Sequence, residues 1–451
     1  MSETVAERLA RHYVNVSAKD LPADVVTSCQ TLVRDYIAVA LGGSVTGSAR
    51  AARKFSNATG GRDEATLIGS TDRAPAVHAA LVNAIASHSI ELDDVDILAL
   101  FHFSPPVVSA ALAVAEREGS SGEEFLTAVV LGCDMMARAS NATNFSLRNR
   151  GYHTTPTCGV FGATISAARL LKLTEEQTVS ALGLAGAQAS GLMEMYGPSM
   201  QKRFNPGPAA RNGVTAALMA QAGFTGAATI FEGERGFCRA FADEIDIDAL
   251  TRDLGVTYPI HIEYKAYSCA RPIHNAIDCA LAVRAQLTEP VSAITKMVMR
   301  RHPAWADYHL NRRPKTYHEA QVSLPYSVAV ALIEGAALFP QYQNEKLGDA
   351  EIRRLSDILE IVHDDTLPRG VSCHLTATTA GGASLVSQVD HPKGSIANPM
   401  SEAEMQAKVR LLAAPVLGEA KVAQLIEALS DLSKLKTVGE LMKLTVAESA
   451  A

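Results

Sequence analysis

The sequence predicts a mostly α protein: a large all-helical domain formed by both chain ends, residues 1–265 and 401–451, plus an inserted α+β domain at 266–400. Three observations point there. Up to about residue 250 the chain reads as helices rich in small side chains. After about 265 it turns β-branched and strand-like, and Ser401 with Glu404 then restarts a helical pattern. A length of 451 residues also exceeds what one simple core holds, which favours two domains.

In the first part, GVFGATISAARLLKL, TEEQTVSALGLAGAQASG and GVTAALMAQAGF place Ala and Gly at helical spacing. Small residues let helices approach closely, so these segments read as tightly packed and buried. Thr174 with Gln177 makes a capping box that opens one helix, and Gly223 stops another. In the inserted part, SAITKMVMRRH and DILEIVHDD read as strands, and CHLTATTAGGASLVSQVDHPKG as two strands around a Gly-Gly turn. KTYHEAQVSLPYSVAVALIEGAAL reads as one helix. A cleft between the two domains is the expected ligand site.

Composition narrows the function classes. Hydrophobic residues make up 47% and charged residues 20%, as in an ordinary globular chain. The formal charge is −7 and the basic residues are scattered, which argues against a nucleic-acid partner. No run of eighteen apolar residues occurs, so no membrane span is expected, and the amphipathic start MSETVAERLARHYVN lacks the apolar stretch of a secretion signal. Seven cysteines without CxxC spacing point to a reducing compartment, and the expected location is cytoplasmic. No GxGxxG after a strand, Walker loop or GxSxG elbow occurs, so nucleotide binding and serine hydrolysis lack support.

Candidate chemistry begins at His88-Ser-Ile-Glu-Leu-Asp-Asp-Val-Asp-Ile-Leu-Ala-Leu-Phe-His102, where four carboxylates sit between two histidines in an apolar neighbourhood. If helical, this stretch puts His88 and Glu91 on one face. A metal site is an alternative, although neither the di-metal bundle nor the calcium-loop spacing fits; a set of acids that merely cap a loop is the plainer one. In RNRGYHTTPTCGVFGAT, His153 stands at a helix start, where it serves either structure or acid–base chemistry. GPSMQKRFNPGPAARNG sets Lys202 and Arg203 between two Gly/Pro loops, suited to a carboxylate or phosphate or simply solvated. EYKAYSCARPIHNAIDCAL brings Lys265, Arg271 and His274 to the domain junction, and Ser323 and Tyr326 are polar groups on a helix that otherwise looks buried.

In order, HSIELDD, GYHTTPTCGVFGA, SMQKRFNPGPAARNGV with GFTGAATIFEGERGF, KAYSCARPIHNAID and HEAQVSLPYSVA resemble the blocks of the MmgE/PrpD family, over nearly the whole chain. That family includes 2-methylcitrate dehydratase, cis-aconitate decarboxylase and iminodisuccinate epimerase. The resemblance implies a helical domain with an inserted α+β lid domain, a homodimer, and a site between the domains that needs no cofactor and no metal. It places active-site positions on Glu91, His102, His153, Lys202, His274 and Tyr326. The sequence departs from the family pattern at several of these places. Glu91 stands where Asp is usual, Val95 replaces the decarboxylase's Thr, Phe103-Ser104 replaces Pro-Gly, and Asn205 replaces a common histidine. These changes leave the substrate open and argue against cis-aconitate decarboxylase.

The expected activity is therefore that of a lyase of carboxylic acid metabolism. It would act on a small di- or tricarboxylic acid, foremost as a dehydratase that abstracts a proton next to a carboxylate. Epimerisation, decarboxylation and plain carboxylate binding are the alternatives. The substrate would be held by Lys202, Arg203, Arg271 and Asp93. His153 would be the acid–base group nearest the reacting carbon, His274 or Tyr326 would protonate the leaving hydroxyl, and Glu91 would orient a histidine, with His102 beside them.

Overall fold

The computed structural model describes residues 3–196, 198–370 and 372–447. It is mostly helical, with a smaller α+β portion. Two hydrophobic cores divide it. The first gathers side chains from Ala6 to Leu250 and again from Val409 to Met442; the second runs from Cys269 to Ala377.

The small residues of the first core work as spacing predicts. The helix Thr154–Leu170 lies between Gly122–Thr143 and Pro206–Gln221. A Cβ at Gly162 would come within 2.6 Å of the Gly132 carbonyl oxygen, and one at Gly213 within 2.5 Å of the Ala163 Cβ. Backbone therefore meets backbone at both crossings, an approach that any larger residue would block. The capping boxes at Thr174/Gln177 and Ser401/Glu404 are present, and Gly223 follows the helix Pro206–Gln221 at φ +95°.

A two-stranded ribbon, β1 (Ala65–Thr66) with β2 (Arg73–Ala74), decorates the first part. The second part holds a four-stranded sheet of β3 (Ile294–Arg301), β4 (Leu359–His363), β5 (Cys373–Thr379) and β6 (Ser384–Val389) in the order β4-β3-β5-β6. β3 runs parallel to β4 and antiparallel to β5, with Met299 opposite both Ile361 and Leu375. Alternate residues of β5 are buried, the period expected of a sheet with one covered face; the helix His274–Gln286 covers it. The segment read as one helix from Lys315 onward is two, Tyr317–Ala320 and Leu324–Glu334. The Ser323 hydroxyl caps the second at the Tyr326 N–H (3.2 Å) and Pro325 occupies its first turn, so the chain restarts rather than continues.

Buried Lys408, on the helix Glu402–Leu417, stitches the returning chain end to the rest. Its ammonium donates to the Asp35 carboxylate (2.5 Å) and to the carbonyls of Leu92 and Lys265 (both 2.9 Å). One side chain thus ties the C-terminal helices to the core helix Ala23–Ser44, the acidic stretch and the domain junction. Lys408→Met leaves the Asp35 carboxylate and both carbonyls buried without their donor, and the expected loss is about 3–5 kcal/mol in urea unfolding. A loss under about 0.5 kcal/mol, the range of a plain surface substitution, would refute this role.

Candidate active site

Between the helices Ala76–Ser87 and Ser104–Glu118 the acidic stretch leaves helical geometry, so His88 and Glu91 do not share a helix face. Its four acids serve different ends. Asp94 accepts from the Phe103 N–H (2.8 Å), the Ser104 N–H (3.1 Å) and the Ser104 hydroxyl (2.5 Å), which satisfies donors at the start of the next helix. Asp96 accepts from the N–H groups of Leu98 and Ala99 and closes a turn. For these two the plain capping account holds.

Glu91 is fully buried with φ 55°, a left-handed conformation that a non-glycine residue adopts only under constraint. Three cations supply that constraint. Its carboxylate contacts the Lys202 ammonium, the Arg203 guanidinium at 2.6 Å and the Lys265 ammonium at 3.0 Å. Burial, then the charges of Arg203 and Lys265, push Lys202 well below the ordinary lysine range. The Arg203 Nη2 continues to the Gln321 side-chain oxygen (2.8 Å), and Gln321 itself donates to the carbonyls of Ile90 and Ser268.

Asp93, rather than Glu91, holds the histidines. Its Oδ2 is 2.7 Å from His88 Nδ1 and 3.1 Å from His102 Nδ1, and its Oδ1 is 3.6 Å from the Lys265 ammonium. Burial opposes ionisation, but His102, His88 and Lys265 together hold Asp93 well below the usual carboxylate range. The donor types of His88, Asp93 and His102, all within 4.8 Å, would suit a divalent ion. His102 Nδ1 also meets the Asp94 carbonyl oxygen, which only accepts, so this nitrogen carries a proton and His102 could offer a metal only its Nε2.

Beside these groups lies a cavity of about 530 Å³. Glu91, His102, His153, Lys202, Lys265 and Arg271 bring the polar lining; Val95, Leu100, Met193, Met195, Trp305 and Tyr308 bring an apolar one. Both parts of the fold contribute. His153 caps the helix Thr154–Leu170, and the Thr155 hydroxyl one residue into that helix accepts from the His102 N–H (3.1 Å), which ties the two histidine segments together. Burial, then His88 and His102, hold the His153 imidazole neutral, well below its ordinary value. Arg271 is clamped by Glu263 at 2.6 Å while its Nη1 has no hydrogen-bond partner. A larger recess of about 710 Å³ near Asp278 and His391 is shallower, and its Lys393 is already paired with Glu404 at 2.9 Å. It lacks the paired buried imidazoles of the first.

The expected residues therefore divide. Glu91, His102, His153, Lys202 and Arg271 reach the cavity; Asp93 and Arg203 stand behind its wall, and His274 and Tyr326 lie elsewhere. The His274 ring packs on Tyr267 with Nε2 3.4 Å from the Cys269 carbonyl, and the Tyr326 hydroxyl donates to the Gln341 carbonyl (2.8 Å). Arg271, in the 3-10 turn Arg271–Ile273, lines the cavity, whereas His274, at the start of the following helix, does not. Sequence reasoning passed over Arg148, Trp305, Tyr308 and His309, all cavity-lining. The chain's only tryptophan, and two cationic residues just before the His153 motif, were the available signals.

Behind the cationic wall, His318 is buried, and its Nε2 has no hydrogen-bond partner. Burial, then Arg203 and Lys202, press its imidazole down to about 3 from 6.5. A base depressed in the folded state binds more protons when unfolded. The stability it brings is present above pH 6.5 and lost as pH falls toward 3, at up to about 1.4 kcal/mol per pH unit. His318→Gln should remove about one proton from the acid slope of the unfolding free energy; equal slopes in the two proteins would refute the depressed titration.

Comparisons with known proteins agree with this architecture. Residues 7–249 match the MmgE/PrpD N-terminal domain and residues 267–432 the MmgE/PrpD C-terminal domain. The second match runs past the inserted sheet into helices whose Val409, Leu412 and Leu425 pack in the first core, because a sequence domain must be continuous and a core need not be. A cis-aconitate decarboxylase-like protein of Aspergillus oryzae is 27% identical, with 98% of each chain covered. The cis-aconitate decarboxylase of Aspergillus terreus is 26% identical over 95% of this chain and 93% of its own. That of Homo sapiens is 24% identical over 97% of this chain and 93% of its own. With two family domains spanning most of its length and its two-core fold, the chain belongs to the MmgE/PrpD family.

Proposed function

We propose that the protein is a lyase for a small di- or tricarboxylic acid, which abstracts a proton next to a carboxylate and expels water, without a metal or organic cofactor. The observation that carries this reading is the meeting of two buried imidazoles, His102 and His153, with Lys202 and the unpartnered Arg271 Nη1 in one cavity. Deprotonation beside a carboxylate piles negative charge onto its oxygens, and cations already in place stabilise that charge without reorganising. Lys202 and Arg271 would bind the carboxylates, and an imidazole would take the proton. Decarboxylation is the second reading, favoured by the names of the A. terreus and human relatives, since the same charge develops when carbon dioxide leaves. The homodimer and the cytoplasmic location belong to this proposal too; sedimentation should find twice the 47.8 kDa chain mass, and a monomer at micromolar concentration would remove the dimer.

Proton NMR in D₂O with 2-methylcitrate, citrate, cis-aconitate and substituted succinates tests the reading. Expected is turnover, or deuterium uptake at a carbon next to a carboxylate, that survives EDTA and falls about 10²–10³-fold in Lys202→Ala. Activity abolished by EDTA would move the site to metal chemistry, and silence across the panel would leave carboxylate binding alone.

A further inference from the structure

We infer that Asn205 fixes His153 as a neutral imidazole that donates from Nε2, so that His102, and not His153, is the base. This rests on the proton-abstraction reading above. Asn205 is buried, and its side-chain amide nitrogen lies 3.1 Å from His153 Nδ1, 3.3 Å from the Leu192 carbonyl oxygen and 3.0 Å from the Met195 sulfur. The carbonyl and the thioether only accept, so the amide must present its NH₂ and not its oxygen to this group of atoms. His153 Nδ1 then accepts as well. In a neutral ring the proton sits on Nε2, the nitrogen left for the cavity that His153 lines.

His102 has the opposite arrangement. Its Nδ1 faces the Asp94 carbonyl oxygen and, at 3.1 Å, the Asp93 carboxylate, both acceptors. The proton is on Nδ1, and Nε2 keeps its lone pair. An imidazolium formed at His102 has the Asp93 carboxylate beside it, whereas His153 has only the neutral Asn205 amide. In the reaction, His102 Nε2 takes the proton from the carbon next to the carboxylate. The C–H pair moves into that carboxylate, whose added charge is met by the Lys202 ammonium and the His153 Nε2–H. The pair then returns to form the carbon–carbon double bond as the β-hydroxyl leaves, and the His102 imidazolium returns its proton to it, releasing water. His153 keeps its proton throughout.

Long-range ¹H–¹⁵N spectra of histidine-labelled protein test the tautomers without any substrate, His102 and His153 being assigned by loss of their signals in His102→Gln and His153→Gln. Expected is unprotonated Nδ1 in His153 and unprotonated Nε2 in His102 at neutral pH. In Asn205→Asp the carboxylate should draw the proton of His153 to Nδ1; Asn205→Ser, which keeps a donor, should retain the wild-type tautomer. A protonated Nδ1 at His153 in the wild type, or no change in Asn205→Asp, overturns the inference even if no tested acid turns over. With a substrate in hand, His102→Gln should lose about 10²–10⁴-fold in proton exchange, and His153→Gln, whose amide still donates, no more than about 10-fold in kcat. The reverse order overturns it, whereas silence with every acid while the tautomers hold counts against the lyase reading alone.

Discussion

One buried carboxylate, Glu91, organises the site. A lone carboxylate in such a place is costly, on the order of several kcal/mol, and the cost is offset only by partners in good geometry. Here the partners are Lys202, Arg203 and Lys265, and they come from different places: two from the short helix Gln201–Phe204, one from the domain junction. Pulling them onto one side chain fixes where the cavity wall stands. It also holds Glu91 in a left-handed backbone conformation that packing alone would not favour. Arg203 extends the cluster to Gln321 of the inserted part, and Gln321 returns a hydrogen bond to the Ile90 carbonyl, so acidic stretch, cationic helix and second core are one hydrogen-bonded unit.

The remaining acids show how much of a polar stretch serves the fold. Asp94 and Asp96 satisfy backbone donors that a break between two buried helices would otherwise leave unpaired. Asp93 turns toward His88 and His102. Glu91 takes the three lysine and arginine side chains, while Asp94 and Asp96 take backbone N–H groups.

Two buried cavity histidines become chemically different through what faces Nδ1 of each. A carbonyl and a carboxylate face Nδ1 of one, a side-chain amide nitrogen faces Nδ1 of the other, and the proton therefore sits on opposite ring nitrogens. Asn205 is the residue that defines the second imidazole. Trp305, Tyr308 and Met195 complete the cavity with an apolar lining.

Much of this protein was decided locally and was legible without coordinates. Helix starts at Thr174 and Ser401, the stop at Gly223, the strand alternation of 373–379 and the tight crossings at Gly162 and Gly213 follow from side-chain size, capping chemistry and period, which act over a few residues. The break at Gln321–Ser323 was missed because apolar residues on both sides mask it, although Pro325 signals it. Which polar residues meet was beyond local rules. Glu91 and Lys265 are 174 residues apart, and Lys408 and Asp35 are 373 apart; spacing on one helix could not reveal either pair. Sequence chose the residues able to hold charge and move protons; only the tertiary fold decided which carboxylate takes the cations, which takes the histidines and which nitrogen keeps its proton, because those choices depend on contacts between segments far apart in the chain.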